Sequence, residues 1–290
     1  MADGTIDVYT LPAMSDGVFQ RLSAFLTEHL GIKLPEAKRV MLQSRVMKRL
    51  KALGLRSYET YCDYLFSPRG QDEELAHLFD VTTTNKTEFF REAAHFDILR
   101  ERILPEITAR QSISRQRPLA VWSAGCSTGE EPYTLAITLA EYAGSHPGFE
   151  FTVLASDIST RVLDTAERAV YSEDRIEGIP FELRRKYLLR SKDREKRQIR
   201  MVPALRSLVH FFRLNLMVDR FVLPVRPDII FCRNVIIYFD RGTQLELVKR
   251  FHRCLQPGGY FFTGHSETFC NMDVPFKQIL PTVYVRCGER

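Results

Sequence analysis

Two neighbouring glutamates at the end of a glycine-containing turn are the first residues whose spacing indicates a ligand. An apolar run typical of a buried strand precedes Ser-Ala-Gly-Cys-Ser-Thr-Gly-Glu-Glu at 123–131. Ala124 and Gly125 let a ligand approach the backbone closely. Glu130 and Glu131 begin the following helix, where carboxylates repel a phosphate and attract an ammonium group. The turn lacks the GxGxxG pattern of a dinucleotide fold, so it favours a ligand with a ribose and a cationic amino-acid tail.

An acidic residue ends the next predicted strand. Ala-Ser-Asp occupies 155–157, and an acid at this place binds ribose hydroxyls in nucleotide-binding folds. The alternative interpretation of Asp157 is an ordinary cap of the next helix. Together with the glycine turn and the glutamate pair, Asp157 points to S-adenosylmethionine as the ligand.

A polar and then aromatic segment at 82–91 precedes these strands. Asn85 and Thr87 fit either ligand contacts or a turn and a cap. Arg91 follows two phenylalanines and is suited to bind a carboxylate through a bidentate pair. The segment therefore contains candidate contacts for the polar end of the ligand.

A second segment with candidate site residues lies at 231–239 and reads Phe-Cys-Arg-Asn-Val-Ile-Ile-Tyr-Phe. It places Arg233 and Asn234 just beyond a strand end, where they face the same cleft as the glycine turn. Tyr238 follows at short range, although taken alone it would be interpreted as a core tyrosine.

The elements that must position these residues change character along the chain. From about Asp16 to Phe79 apolar residues recur at helical spacing, with helix ends expected at Gly31 and Gly54, an N-cap at Ser57 and a helix-breaking segment at 67–70. From 119 onward, short apolar strands alternate with helices. This alternation predicts a doubly wound, mostly parallel sheet, with the last strand antiparallel at or near an edge.

The same change divides the chain into domains. We expect a small all-helical domain at 1–80 and an α/β ligand-binding domain at 81–290. A basic stretch interrupts the α/β pattern, which indicates a small inserted subdomain at about 184–212.

The composition predicts a globular protein with a hydrophobic core and without a membrane-spanning segment. The chain has 290 residues, is 44% hydrophobic and carries a formal net charge of +5, so it can bury a substantial core. It has no apolar run long enough to cross a membrane and no N-terminal signal pattern. Because no CxxC pair occurs among the cysteines, neither structural zinc nor a disulfide scaffold is expected, and no metal site is predicted. We expect a cytoplasmic protein.

Several long motifs, in one order, make the sequence recognisable. They lie at 84–92, 121–133, 155–158, 231–240, 264–267 (Gly-His-Ser-Glu) and 282–284 (Thr-Val-Tyr). With these motifs the chain resembles the CheR family of chemotaxis receptor methyltransferases along nearly its whole length. The resemblance implies the fold of class I S-adenosylmethionine-dependent methyltransferases. It also implies methyl transfer to specific glutamates on the cytoplasmic helices of chemoreceptors, with S-adenosylhomocysteine as the other product.

The resemblance also implies roles for individual residues. Cofactor contacts are expected from Asn85, Thr87, Arg91, Ala124, Gly125, Glu131, Asp157, Asn215, Leu216, Arg233 and Asn234. Within this set, Glu131 and the turn at 124–125 would hold the amino-acid part, Asp157 the ribose, and Asn215 with Leu216 the adenine side. Arg91 and Tyr238 are expected to be catalytic, because they would orient the incoming glutamate oxygen.

A strongly basic helical segment is a candidate docking surface. Residues 33–56 contain eight basic residues and one acid. Such a face is usually only solvated surface. Because the family uses its N-terminal domain for substrate contact and methylation helices are acidic, we expect docking through Lys38, Arg45, Lys48 and Arg49.

The predicted insertion departs from one family pattern. In relatives that tether to the C-terminal pentapeptide of a receptor, the corresponding region carries a glycine-rich loop. Here residues 184–200 hold nine basic residues, two acids and no glycine. We therefore expect a pentapeptide-independent enzyme.

Other functions remain as alternatives. One alternative is that the same fold methylates a protein outside chemotaxis or a nucleic acid. Asn-Val-Ile-Ile-Tyr at 234–238 is not the Asn/Asp-Pro-Pro-aromatic motif of amino-group DNA methyltransferases, so no nucleic-acid partner is expected. An idle cofactor-binding adaptor and an NAD-dependent dehydrogenase are further alternatives, and Glu130 with Glu131 makes the dehydrogenase a poor fit.

Overall fold

The computed structural model describes residues 13–269 and 272–287, and internal contacts divide them into two units. The first unit contains the described residues up to Thr84 together with Tyr238–Asp240. The second contains Asn85–Ile237 and the described residues from Arg241 onward. Residues 1–12 of the predicted helical domain lie outside the described residues, as does Cys270. The expected absence of an N-terminal signal pattern concerns this same part of the chain.

The first unit is helical. Its helices are α1 (Asp16–Leu30), a 3-10 turn (Glu36–Lys38), α2 (Arg39–Leu53), α3 (Tyr58–Leu65), α4 (Pro68–Glu73) and α5 (Leu75–Thr82). The predicted helix ends are confirmed, because Gly31 and Gly54 adopt left-handed conformations after α1 and α2. The Ser57 hydroxyl caps α3 by accepting a hydrogen bond from the backbone N–H of Thr60.

One helix start was predicted wrongly. The segment at 67–70 was expected to interrupt the helical pattern, with the next helix beginning near Gln71. The interruption is observed, because α3 ends at Leu65, but α4 already begins at Pro68. Ser67 caps this helix through the backbone N–H of Gly70, and Pro68 occupies the first turn, where its missing N–H costs nothing. The interruption is therefore shorter than predicted, because these residue types also start a helix.

The second unit contains the sheet. Its elements are α6 (Ala94–Ile98), a π-helical turn (Leu99–Ile103), α7 (Leu104–Arg110), β1 (Leu119–Ala124), α8 (Glu130–Ser145), β2 (Phe151–Asp157), α9 (Thr160–Arg168), β3 (Val170–Ser172), a 3-10 turn (Glu173–Ile176), α10 (Phe181–Tyr187), β4 (Leu188–Arg190), a 3-10 turn (Arg194–Lys196), β5 (Gln198–Met201), α11 (Pro203–Arg206), β6 (Val209–Arg213), β7 (Ile229–Cys232), α12 (Arg241–Cys254), β8 (Tyr260–Thr263), β9 (Lys277–Leu280) and β10 (Val283–Val285). A further 3-10 turn (Ile236–Tyr238) precedes α12.

The main sheet has seven strands in the order β6-β2-β1-β7-β8-β10-β9. Strand β10 runs antiparallel to both of its neighbours, and the other pairings are parallel. The predicted doubly wound, mostly parallel sheet is therefore confirmed. Strands β1 and β7 are buried throughout, which is typical of parallel strands covered on both faces. The chain leaves β1 toward β2 and later returns on the other side at β7, so a ligand crevice is expected at the carboxyl ends of these strands.

Strands β6 and β9 were not predicted. Both are short edge strands with partly exposed side chains, so they lack the apolar run that identified the central strands. Strand β6 pairs with β2 in the main sheet, although the prediction placed residues up to about 212 in an insertion. The additional sheet has three strands in the order β3-β5-β4 and spans Val170–Met201. Among the described residues, no helix combines the length and apolar character needed to cross a membrane.

Candidate functional site

The turn after β1 is held against the end of β2. The backbone N–H groups of Gly125 and Cys126 both donate to the carbonyl of Ser156, at 2.8 and 2.9 Å. Gly125 has a φ of 84°, and a Cβ there would lie 2.6 Å from Cγ2 of Val235. Glycine is therefore required here by the close approach of Val235, whereas the sequence suggested a close approach of ligand.

Asp157 links this turn to the helix that follows β2. Its carboxylate accepts the backbone N–H of Ser127 at 2.9 Å and that of Ser159 at 3.0 Å. The cap of α9 is Ser159, whose hydroxyl accepts the N–H of Val162, so Asp157 is not the ordinary helix cap considered as the alternative. These two backbone bonds orient the carboxylate of Asp157 at the end of β2.

Glu131 lies in the first turn of α8, beside the end of β1. Its carboxylate accepts the hydroxyl of Ser123 at 2.7 Å and Nη1 of Arg233 at 3.1 Å. Burial raises the pKa of Glu131, and the positive charge of Arg233 opposes this rise. Neighbouring Glu130 is fully buried and pairs with Arg175 and with the hydroxyl of Thr128. The two glutamates therefore differ in their availability to a ligand, because Glu130 is fully buried and bound to other residues of the protein.

Arg233 connects Glu131 to the segment before the sheet. Its side chain is 2% exposed, and Nη2 donates to Glu92 at 3.1 Å and to the backbone carbonyl of Arg91. The guanidinium also lies over the ring of Phe96, 5.5 Å from the ring centre. The two carboxylates neutralise this buried cation, so Arg233 has a central structural position in the site.

The segment that carries Asn85, Thr87 and Arg91 is bound to the turn after β1. The hydroxyl of Ser127 donates to the carbonyl of Asn85 at 3.0 Å. The carbonyl of Thr87 accepts Nη2 of Arg175 at 3.3 Å, and Nη1 of Arg91 donates within the segment to the carbonyl of Lys86 at 3.1 Å. Of the three predicted residues, Asn85 therefore contacts the turn directly, whereas the contacts of Thr87 and Arg91 are to Arg175 and to their own segment.

The backbone of this segment is strained on both sides of Arg91. Phe90 and Glu92 have φ values of 55° and 56°, a conformation that residues other than glycine rarely adopt. The N–H of Phe90 donates to the hydroxyl of Thr134 at 3.2 Å, and Arg233 holds the carbonyl of Arg91 and the carboxylate of Glu92. These contacts fix the direction in which Arg91 leaves the backbone.

A buried glutamate holds the turn after β7. Glu267 is 4% exposed and accepts backbone N–H groups from Asn234, Val235, Ile236, Ile237 and Gly264, at 2.6–3.3 Å. Burial raises the pKa of Glu267, and the N–H donors oppose the shift. Asn234, with a φ of 58°, also points its amide toward Glu92 at 3.4 Å. Glu267 and Glu92 were not predicted as site residues, although both lie inside the motifs at 264–267 and 84–92.

Asn215 and Leu216 follow the edge strand β6 and lie beside the end of β2. The N–H of Leu214 donates to the carbonyl of Asp157 at 2.9 Å. Asn215 folds its side chain back to accept the N–H of Met217 at 2.9 Å, and the buried Leu216 accepts Nη1 of Arg250 on its carbonyl at 2.8 Å. The predicted adenine-side segment is therefore adjacent to Asp157 along the sheet edge.

The remaining predicted residues belong to the first unit. Tyr238 is half-buried, and its carbonyl accepts the N–H of Lys33 at 3.4 Å. Arg49 forms a bidentate pair with Glu74, which is 1% exposed, and both N–O distances are 2.8 Å. Arg45 donates to the carbonyl of Thr82 and to the hydroxyl of Thr84. Arg45 and Arg49 are therefore held by internal contacts.

The two predicted lysines differ from these arginines. Lys48 is exposed and Lys38 is partly exposed, at the end of the 3-10 turn before α2. Both residues therefore keep contact with solvent, which a charged partner would need.

The donor set of the second unit suits a nucleoside with an amino-acid tail. Asp157 is an acceptor for hydroxyl groups, and Glu131 keeps acceptor sites for an ammonium group. Arg91 supplies a cation on a segment whose direction is fixed. The carboxylates disfavour a pyrophosphate at the start of α8.

Comparisons with known proteins agree with this chemistry. Residues 85–285 match the family described as "CheR methyltransferase, SAM binding domain", and residues 18–83 match "CheR methyltransferase, all-alpha domain". The chain is 39% identical over 265 residues to the "Chemotaxis protein methyltransferase" of Borreliella burgdorferi, covering 91% of this chain and 92% of that protein. It is 40% identical over 266 residues to "Chemotaxis protein methyltransferase 2" of Pseudomonas aeruginosa (92% and 91% covered). It is 39% identical over 272 residues to the Escherichia coli "Chemotaxis protein methyltransferase" (94% and 91% covered).

Proposed function

Because the chain belongs to the CheR family of S-adenosylmethionine-dependent methyltransferases, we propose that it methylates specific glutamate side chains of chemoreceptors. The products are glutamate methyl esters, which serve sensory adaptation, and S-adenosylhomocysteine. The observation that carries the proposal is the pair of largely buried carboxylates, Glu131 in the first turn of α8 and Asp157 at the end of β2. We place the reaction in the cytoplasm, where the methylated receptor helices lie.

The proposed cofactor contacts divide by the chemistry of the residues. Asp157 accepts the ribose hydroxyls, Glu131 and the backbone at 124–125 hold the amino-acid part, and Asn215 with Leu216 borders the adenine. The remaining proposed contacts are Asn85, Thr87, Arg91, Arg233 and Asn234. Arg233 acts by neutralising Glu131 and by fixing the segment that carries Arg91. When bound, S-adenosylmethionine supplies an electrophilic methyl group on a sulfonium.

The protein has little covalent chemistry to perform. A glutamate side chain has a reference pKa of about 4.3, so the substrate is already ionised at neutral pH and needs no general base. The residues of this chain therefore act by aligning the carboxylate and excluding water. Arg91 orients the incoming oxygen by a charged hydrogen bond, and a weak contact is favoured because tight pairing would blunt the nucleophile.

A labelling experiment tests the function. The protein is incubated with methyl-labelled S-adenosylmethionine and membranes that contain chemoreceptors, and the product is treated with mild alkali. We expect label on the receptor that is released as volatile methanol, because carboxyl methyl esters are base-labile. Base-stable label on protein or nucleic acid would contradict the proposed substrate while retaining the cofactor.

Arg91→Ala is expected to lower the methylation rate about ten- to hundredfold, because hydrogen bonds to charged groups contribute about 1.5–3 kcal/mol. Initial rates at saturating cofactor measure the effect. Arg161→Ala, which removes an exposed arginine of α9, is the matched control and should retain the wild-type rate. An unchanged rate in Arg91→Ala would remove Arg91 from the mechanism.

The catalytic role of Tyr238 stays a prediction. Tyr238→Phe removes only the hydroxyl, so we expect a two- to tenfold slower reaction, in line with about 0.5–1.5 kcal/mol for a neutral hydrogen bond. The same assay measures it, with Tyr64→Phe, whose hydroxyl meets an exposed glutamate, as the control. Equal rates for both variants would make Tyr238 a packing residue.

We propose that the first unit docks on acidic receptor helices through Lys38 and Lys48. Reversing both charges to glutamate should lower kcat/KM about tenfold at low ionic strength, because charge steering raises encounter rates by at least this factor. The difference should shrink as salt screens the charges. Lys277→Glu, an exposed lysine of β9, serves as the control.

Arg45 and Arg49 do not suit this docking experiment. Reversing the charge of Arg49 leaves the buried Glu74 without its cation. A lower rate would then indicate a loss of stability rather than a loss of docking. A salt-independent effect of the two lysine changes would contradict electrostatic docking.

We further propose that the enzyme works without a pentapeptide tether. The segment Leu188–Met201 contains no glycine, in contrast to the glycine-rich loop of tethering relatives. Titration with a peptide that ends in a receptor pentapeptide is expected to give no saturable binding. A low-micromolar complex would overturn the proposal.

A further inference from the structure

One carboxylate and two imidazoles meet beside Arg233 without a part in the proposed methyl transfer. The possible ligand atoms of Glu92, His95 and His265 all lie within 4.8 Å of one another. Nδ1 of His95 is 3.4 Å from Oε2 of Glu92, and the two histidine rings meet edge to face with centroids 5.1 Å apart. His95 is 1% exposed, whereas His265 is on the surface. The cluster therefore combines a buried and an exposed imidazole.

The two ring nitrogens of His95 have different surroundings. Nε2 lies 2.6 Å from Oγ1 of Thr282, and this hydroxyl also lies 2.6 Å from the carbonyl of Pro281, to which it can donate its hydrogen. When it does so, Oγ1 accepts from Nε2, and Nδ1 of neutral His95 carries a lone pair. Nδ1 has no hydrogen-bond partner among the described residues.

Nδ1 and the carboxylate of Glu92 are neighbours without a hydrogen bond between them. In the tautomer with a lone pair on Nδ1, both groups can bind a shared cation. Ligand atoms of a tetrahedral zinc ion, with bonds of about 2.0–2.1 Å, lie about 3.4 Å apart, which matches the separation of Nδ1 and Oε2. Two histidines and one glutamate form a donor set that zinc accepts, with a fourth position left for water.

We propose that Glu92, His95 and His265 bind a divalent cation of the zinc class. Thr282 is the outer partner that orients His95, as is usual for metal-binding histidines. The site differs from a structural zinc site because it has no cysteine and is completed by a surface residue. No short-range motif predicts it, since His265 lies far from Glu92 and His95 along the chain.

The cation competes with Arg233 for Glu92. Oε2 of Glu92 accepts Nη2 of Arg233 at 3.1 Å, while Oε1 has only long contacts of 3.4 Å, to Asn234 and to the N–H of His265. A bound dication would repel the guanidinium of Arg233 and would bind the carboxylate of Glu92, with which Arg233 is paired. Arg233 also neutralises Glu131, so zinc should weaken cofactor binding. This consequence rests on the proposed role of Glu131, whereas metal binding itself does not.

The test is competition for Zn²⁺ between the protein and a chromogenic chelator. All proteins carry Cys287→Ser, which removes an exposed thiol. We expect one equivalent of Zn²⁺ to bind, with at least about tenfold weaker binding in His265→Ala and about 10–100-fold weaker binding in Thr282→Val, which removes only the orienting hydroxyl. His210→Ala, another exposed histidine, should bind like the parent. Thermal unfolding checks that each variant is folded.

Two results would overturn the site: no withdrawal of Zn²⁺ from the chelator, or equal binding by the His265→Ala and His210→Ala variants. S-adenosylmethionine binding is measured in parallel, with and without Zn²⁺. We expect Zn²⁺ to weaken it in the parent and to leave it unchanged in His265→Ala. Because the chelator assay needs neither cofactor nor receptor, failure of the metal site and failure of the methyltransferase function are distinguishable.

Discussion

Arg233→Ala is expected to lower the free energy of unfolding by about 3–5 kcal/mol, the usual effect of removing one partner from a buried ion pair. The Arg233 side chain is 2% exposed, and its loss leaves Glu92 and Glu131, at 14% and 13% exposure, without their cation. Chemical denaturation measures the change. Because the carbonyl of Arg91 also loses its donor, cofactor affinity should fall at least about tenfold.

Two further variants make this expectation specific. Arg102→Ala breaks an exposed pair with Glu106 and should cost less than about 1 kcal/mol. Adding Glu92→Gln to Arg233→Ala should recover part of the lost stability, because one of the stranded charges is removed. If Arg233→Ala destabilised the protein no more than Arg102→Ala, the carboxylates would not depend on Arg233.

Asp157→Ala is expected to raise the Kd for S-adenosylmethionine at least about a hundredfold. A carboxylate that accepts both ribose hydroxyls contributes about 1.5–3 kcal/mol for each bond, and the turn at Ser127 loses its acceptor as well. Isothermal titration calorimetry measures the affinity. The control is Asp164→Ala, which removes an exposed carboxylate of α9 and should bind normally.

Stability separates the two roles that Asp157 could have. Its bonds to Ser127 and Ser159 predict a moderate loss of stability in Asp157→Ala. If that loss occurred while the Kd stayed within twofold of wild type, Asp157 would act only as a support for the turn. A large increase in Kd in a folded variant is the result that a ribose ligand requires.

Elements whose structure depends only on neighbouring residues were predicted correctly from the sequence. Helix ends at Gly31 and Gly54 need only a left-handed conformation that glycine adopts freely. The central strands β1 and β7 are apolar because they are covered on both faces. The alternation of strand and helix was sufficient to predict the doubly wound sheet. These features are encoded within a few residues of one another, so no distant partner is needed to recognise them.

Short elements with mixed polarity were predicted wrongly because a few neighbouring residues do not determine them. Strand β6 acquires its identity from pairing with β2, and its own side chains are partly exposed. Ser67 and Pro68 occur at both helix starts and helix interruptions, so local propensity does not distinguish the two there. For β6, pairing with a distant strand decides the outcome.

The sequence by itself determined the family, the cofactor and the segments that carry the candidate site. Tertiary structure alone decided how the charges are used. Helical spacing placed Arg49 on a basic face, but folding pairs it with the buried Glu74. Arg233 joins Glu92 across 141 positions of chain, and Glu267 accepts backbone groups from a turn about 30 residues earlier. A charge finds its partner only when the sheet brings distant segments together, because electrostatic and hydrogen-bond energies depend on separation in space rather than along the chain.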